Sequence, residues 1–156
     1  MSKSLKRVQR ALVEAGADCE IMEMQAETRT AADAAREVGC EIDQIAKSII
    51  FKGNPSGKII LFITAGGNQI SSDKAADLAG EKLCRADAAY IRSVSGFAIG
   101  GVAPIGHVTP PKVFMDLRLM EFTTVYAAGG TPRHIFGICP VLLAKISGAD
   151  SAEFSA

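Results

Sequence analysis

The sequence predicts a mixed α/β domain, and three observations carry that expectation. Apolar residues recur at helical spacing in some segments and gather into short β-branched and aromatic runs in others, and the two kinds alternate along the chain. Two extended runs, residues 48–51 and 58–63, are joined across Asn54-Pro55-Ser56-Gly57, whose turn chemistry makes them a hairpin. No linker, repeat or low-complexity tract divides the 156 residues. One domain is therefore expected, with its core over residues 4–147 and a small, polar, frayed tail over 148–156. Consecutive strands joined by tight turns favour an antiparallel or mixed sheet over a doubly wound one.

The elements follow in order. Ser4 can cap a helix whose apolar positions are Leu5, Val8, Leu12 and Val13, and Gly16 ends it. Residues 19–24 read as extended. Thr30 with Asp33 is a capping-box-like start for an alanine-rich helix through Val38, stopped by Gly39. Ile42, Ile45 and Ala46 then lead into Lys47 and the hairpin. Ser71 and Ser72 offer caps for a helix over 73–79, and another short helix spans 86–94 before Gly96. Residues 113–115 and 124–127 read as strands, Gly129-Gly130-Thr131-Pro132 as a turn and 135–138 as a final strand. Pro140 suits the first turn of a last helix through Ile146.

Composition excludes several classes of function. A hydrophobic content of 48% lets a chain of this length bury roughly two-thirds of its unfolded surface, so it needs no staples. Cys19, Cys40, Cys84 and Cys139 form no CxxC pair and only His107 and His134 could join them, which leaves neither a zinc framework nor a redox motif. The thiols are expected to be free and buried, and no metal or cofactor is expected. No apolar run follows the basic start at residues 1–10, and no stretch approaches the roughly 20 apolar residues of a membrane span. With reduced thiols, this points to the cytoplasm and away from a membrane.

Seventeen basic and seventeen acidic residues give a net charge of zero. That balance argues against coating duplex DNA, yet it leaves room for contact with one end of a nucleic acid through a few phosphates. Lys3, Lys6, Arg7 and Arg10 form a basic stripe on the first helix, read as a solvated face.

The chemistry-bearing feature is the run Gly100 to Gly106, GGVAPIG, together with Lys47 at the head of an apolar strand. Glycines here permit φ > 0 and leave no side chains between a ligand and the backbone amides. Such a loop can present N–H groups to an anion or a developing oxyanion, and a cation from a neighbouring strand would complement it. The loop lacks GxGxxG spacing and opens no strand-to-helix unit, so a dinucleotide site is not indicated.

Several motifs together carry a family resemblance: QIAKSIIFK over 44–52, LFITAG over 61–66, SGFAIGGVAPIG over 95–106, then Asp116 and AAGG over 127–130. In order and spacing they resemble the YbaK/ProX aminoacyl-tRNA editing family, which is similar to the editing insertion of bacterial prolyl-tRNA synthetases. The resemblance covers residues 4–147. It implies a curved, barrel-like mixed β-sheet surrounded by helices, and hydrolysis of the ester joining a wrong amino acid to the 3′ end of a tRNA, with a synthetase as a further partner. An activated ester needs mainly a positioned water or hydroxyl and donors aimed at the oxyanion, so no triad or metal set is required.

By position, the resemblance implies that Lys47 contacts the terminal phosphate or the ester, that Gly100, Gly101 and Gly106 line the floor, and that Thr64, Ala65 and Gly66 form a wall. Ser48, Met24, Asp116, Ala128 and Gly129 complete the expected substrate-binding set. Asp116 has an equally good reading as the cap of residues 117–120. His107 and His134 are candidate general bases by residue type, but nothing in the sequence pairs either with a nucleophile. Members acting on cysteinyl-tRNA tend to carry tyrosine, serine and aspartate near Met24, Ala128 and Ile135, where this chain is more apolar. Cysteine is thereby disfavoured, and alanine, serine, threonine or a non-protein analogue stay open. Two other readings remain open, a non-catalytic module holding a tRNA end or a synthetase, and a hydrolase or binder of an adenylate-like metabolite.

Overall fold

The computed structural model describes residues 2–27 and 30–156, so Met1 of the basic start lies outside the described residues. Among the described residues the five α-helices are α1 (Lys3–Glu14), α2 (Ala31–Val38), α3 (Ser72–Ala79), α4 (Ala88–Ser95) and α5 (Pro140–Ser147). The eight strands among these residues are β1 (Ile21–Glu23), β2 (Ile45–Asn54), β3 (Ile59–Ala65), β4 (Lys82–Arg85), β5 (Lys112–Asp116), β6 (Val125–Ala128), β7 (His134–Ile138) and β8 (Asp150–Ala152). They form one mixed sheet in the order β1-β7-β6-β2-β3-β5-β8, with β4 also on β2. The β2–β3 hairpin lies at its centre, antiparallel and in unbroken register from Ala46 opposite Ala65 to Lys52 opposite Ile59. Parallel pairs β2–β6, β3–β5 and β5–β8 make the sheet mixed.

Strand alternation sends residues to two cores. One face buries Ile50, Leu61, Ile63, Val113 and Met115 beneath α1 and the segment holding Phe97. On the other, Phe62 stacks on Phe114 (centroids 5.4 Å) and meets Phe154 edge-on at 5.0 Å. A third cluster seats Ala34 and Ala35 of α2 on Ile45 and Ile135. Thr30 caps α2 by accepting from the Asp33 amide at 3.1 Å, as the sequence led one to expect.

Five expectations need correction. Helix α1 is capped by Ser2, not Ser4: Ser2 is extended and its Oγ accepts from the Leu5 amide at 3.2 Å. The basic stripe is not wholly solvated, because Arg7 is half-buried and donates to the carbonyls of Gly96 (2.6 Å) and Gly106 (3.1 Å). Residues 82–85 form β4, and the helix after them starts at Ala88 because Asp87 accepts from the Tyr90 amide. The tail is not frayed, since β8 pairs with β5 and Phe154 is fully buried. Of the cysteines, Cys19 and Cys40 are half-buried but Cys84 and Cys139 are exposed; all four are free.

Candidate functional site

The site is built around an interruption on the outer edge of β2. Strand β6 pairs with Ile45 and Ala46, and β4 pairs only from Phe51 onward. Over the residues between them opens a cavity of about 860 Å³. Lys47, Ser48, Ile49 and Ile50 line it, with Gly66 and Asn68 beyond β3, Ala31 and Ala34 from α2 and Thr30 at its cap, Ile99, Gly100 and Val102 from the glycine-rich loop, and Tyr126, Ala128 and His134 from β6 and β7 with Thr131 from the turn between them.

Lys47 lies opposite Thr64, and its Nζ donates to the Gly66 carbonyl at 3.3 Å. Desolvation pushes the ammonium below the ordinary lysine range, while the carboxylates of Asp116 and Asp43 pull the other way. Neither carboxylate pairs with it directly. Asp43 is taken by Arg118 Nε at 2.9 Å and by the Gly67 amide at 2.9 Å. One of three ammonium hydrogens is thus engaged by the Gly66 carbonyl, leaving two donors for a ligand.

Asp116 is buried at the end of β5 and acts as a clamp. Its Oδ2 accepts from the Ala65 amide (3.1 Å) and from Asn68 Nδ2 (3.0 Å), and its Oδ1 accepts from the Arg118 amide (3.0 Å), capping the turn 117–121. The structural reading of Asp116 therefore describes its contacts, and its effect on the cavity passes through the β3 corner that carries Gly66. Gly66 has no substitute there, because a Cβ would stand 2.2 Å from the Ile42 carbonyl oxygen.

In the glycine-rich loop the Gly101 amide donates to the Ala98 carbonyl at 3.0 Å, closing a tight turn with Gly100 at φ +88° in its third position. Gly101 is pressed against the next loop: a Cβ on it would meet Thr131 Cα at 2.7 Å. The Gly101 amide is consequently spent within the turn. Those of Gly100 and Val102 have no protein acceptor among the described residues, and both residues face the cavity.

Of the residues singled out from the sequence, Lys47, Ser48, Gly66, Gly100 and Ala128 share the cavity wall. Thr64 and Ala65 are fully buried in β3 behind it. Gly106 lies away from the floor, packed with its Cα against the Arg7 carbonyl of α1. Met24 packs in the α2 cluster, and Gly129 is buried, donating to the His134 carbonyl at 2.7 Å. His107 is also outside the cavity. Its Nε2 lies 2.6 Å from the Ala103 carbonyl, its ring meets Phe97 edge-on, and burial pushes its pKa down, so it is a core imidazole. Ile99, Tyr126 and Thr131 were not singled out for the site, and His134 was considered only as an imidazole without a nucleophile, because only the β6–β7 turn and the fold of the loop bring them to β2. Thr131 Oγ1 and His134 Nδ1 are hydrogen-bonded at 2.5 Å. Among the described residues no group of three His, Cys, Asp or Glu side chains could hold a metal ion.

A half-buried lysine and a glycine turn on the wall of one cavity make a candidate site for a small anionic or ester-bearing ligand. Residues 25–146 match the aminoacyl-tRNA editing domain, and the chain belongs to that family. The chain is 29% identical over 144 residues to the uncharacterized protein YwhH of Bacillus subtilis (strain 168), covering 92% of this chain and 91% of that one. Among solved structures it is similar to a candidate trans-editing enzyme for prolyl tRNA synthetase, with TM-score 0.93, 41% identity and coverage of 100% and 99% of the two chains. A scaffold from computational epitope backbone grafting is as similar in shape, with TM-score 0.93, 39% identity and the same coverage. The family and this resemblance assign the chain an editing role on tRNA.

Proposed function

We propose that the chain is a trans-acting deacylase that hydrolyses the ester of a mischarged tRNA carrying a small amino acid, without a metal ion. The single observation that carries this reading is the Lys47 ammonium, partly desolvated on β2 in the same cavity as the Gly100 turn. Lys47 holds the terminal phosphate or the ester oxygen of the tRNA end. Water, held in place where a hydroxyl of the substrate lies near, attacks the ester carbonyl and supplies the second carboxylate oxygen. The bond to the ribose oxygen breaks, that oxygen takes a proton, and the amino acid leaves as its carboxylate. The Gly100 and Val102 amides are the donors in the loop available to the oxyanion, with Ser48 and Ala128 bounding the side-chain space.

Small size is supported by Ala31, Ala34 and Ala128 on the wall, and cysteine is disfavoured by the apolar Ile135 beside them. The likeness to a candidate trans-editing enzyme for prolyl tRNA synthetase makes tRNA charged by that synthetase the first substrate to try, and the cytoplasm the place of action. The test is release of amino acid from a panel of tRNAs charged with alanine, serine, threonine, cysteine and proline. Turnover of one small mischarged residue is expected; binding without turnover of any would overturn the reading.

A further inference from the structure

The interruption on β2 exposes a specific set of backbone groups. Gly53 donates to the Lys58 carbonyl at 2.8 Å, so the odd-numbered residues of β2 turn their polar groups toward β3, while the Gly53 carbonyl accepts from the Gly57 amide in the turn. Since the register is unbroken, 51/60, 49/62 and 47/64 are hydrogen-bonded pairs, and Ser48 and Ile50 turn their polar groups away from β3. An independent contact agrees with this phase: Ala65, opposite Ala46, turns its amide away from β2 and gives it to Asp116. On the outer edge β6 reaches only Ala46 and β4 begins at Phe51. The Ser48 amide, the Ser48 carbonyl and the Ile50 amide therefore face the cavity with no strand partner among the described residues. The buried Ser48 hydroxyl has none either.

We propose that this strand edge reads the adenine of the tRNA's terminal adenosine, the Ser48 carbonyl accepting from the N6 amine and the Ile50 amide donating to N1. The proposal rests on the editing reading for the source of the adenosine. An acceptor and a donor two residues apart on one edge match adenine, which presents a donor beside an acceptor; an ammonium group offers donors only and would leave the Ile50 amide unmet. The apolar side chains of Ile49, Ile99 and Val102 line the same space. Ile99 stands 60% exposed at the tip of the glycine turn, where a flat base would cover it. A peptide adding as a strand fits poorly, because β6 and β4 close the opening at both ends after four residues. Lys47 projects from the same stretch, so one short segment would hold both the base and the ester end.

Backbone groups survive side-chain substitution, so the ligand is edited instead. In one arm, ¹⁵N-labelled protein is titrated with adenosine monophosphate and with its 7-deaza, 1-deaza, purine and inosine counterparts. In the other, hydrolysis of alanyl-minihelix RNAs ending in the same nucleosides is timed. Adenosine and 7-deazaadenosine should act alike and shift the Ser48 and Ile50 amides. The 1-deaza and purine forms should each lose roughly 5- to 30-fold in affinity and in kcat/KM, as expected for one buried polar group left unpaired, and inosine should lose more. Base preference in binding with no hydrolysis of any minihelix would keep the strand-edge site and remove the editing reading. Hydrolysis indifferent to the terminal base, with amide shifts confined to other elements, would remove the strand-edge site and keep editing. Absence of both binding and hydrolysis would overturn both.

Discussion

Lys47 Nζ stands 3.3 Å from the Gly66 carbonyl oxygen, and that carbonyl is fixed by the approach of Gly66 to Ile42 on one side and by the Asp116 clamp on the other. The lysine is thus positioned by backbone geometry rather than by an ion pair. This relationship has consequences for stability, pH dependence and rate.

Asp116→Asn keeps the shape of the clamp but turns one acceptor into a donor facing amide N–H groups. With three hydrogen bonds converging on the carboxylate, the variant should lose about 1–3 kcal/mol of stability. Deacylation should fall with it as the Gly66 corner loosens. Thermal unfolding beside single-turnover rates checks this, and unchanged values in both would show that Asp116 supports nothing.

Phe154→Ala tests the ordered C-terminal segment. The ring is fully buried between Phe62 and its neighbours, so truncation should cost about 3–5 kcal/mol. A melting temperature equal to that of the wild type would mean that the tail adds nothing to the core.

The lowered pKa of Lys47 sets the sign of two pH effects. Activity that needs the ammonium is present below the lowered value and lost as pH rises through it, earlier than for an ordinary lysine near ~10.4. The kcat/KM profile of the free enzyme, corrected for spontaneous ester hydrolysis, should therefore descend in the alkaline range. Lys47→Arg should abolish that limb while restoring only part of the rate, because a guanidinium keeps its proton but fills a different volume. Stability moves oppositely. The native state releases this proton before the unfolded chain does, so the cost of burying the charge is full below the folded value and is relieved as pH rises toward the unfolded one.

A deacylase with no metal-ligand cluster among its described residues should keep its rate in chelator, and a rate abolished by chelator and restored by zinc or magnesium would count against it. Zero net charge implies few phosphate contacts and a shallow dependence of tRNA binding on salt. A slope corresponding to six or more released ions would instead indicate a broad tRNA-binding face.

Much of the fold was legible because local signals agreed with it. The hairpin, α2 with Thr30 and Gly39 at its ends, and Pro140 at the start of α5 all follow from turn and cap chemistry. Strand β4 was not, because Lys82-Leu83-Cys84-Arg85 is a short, mostly exposed edge with little apolar content. Nor was β8, where a single aromatic residue, Phe154, anchors a run of small and polar ones. In the candidate site, the glycines of the Gly100 turn stood out by residue type, whereas Lys47 was singled out by the family resemblance of the motif around it. The spending of the Gly101 amide inside the turn, and the docking of Gly106 on α1, depend on contacts far apart in sequence that no local pattern encodes.

The most direct measurement is single-turnover deacylation by wild type, Lys47→Ala and Lys52→Ala, with thermal unfolding alongside. Lys52 is the control cation on the same strand, its Nζ 4.8 Å from the centre of the Tyr90 ring. Lys47→Ala should lose roughly 2–4 kcal/mol of transition-state stabilisation, about 30- to 1000-fold in rate, at nearly unchanged stability. Lys52→Ala should retain most of the activity. Equal rates for all three proteins would contradict the role given to Lys47 and leave the Gly100 turn without its cationic partner.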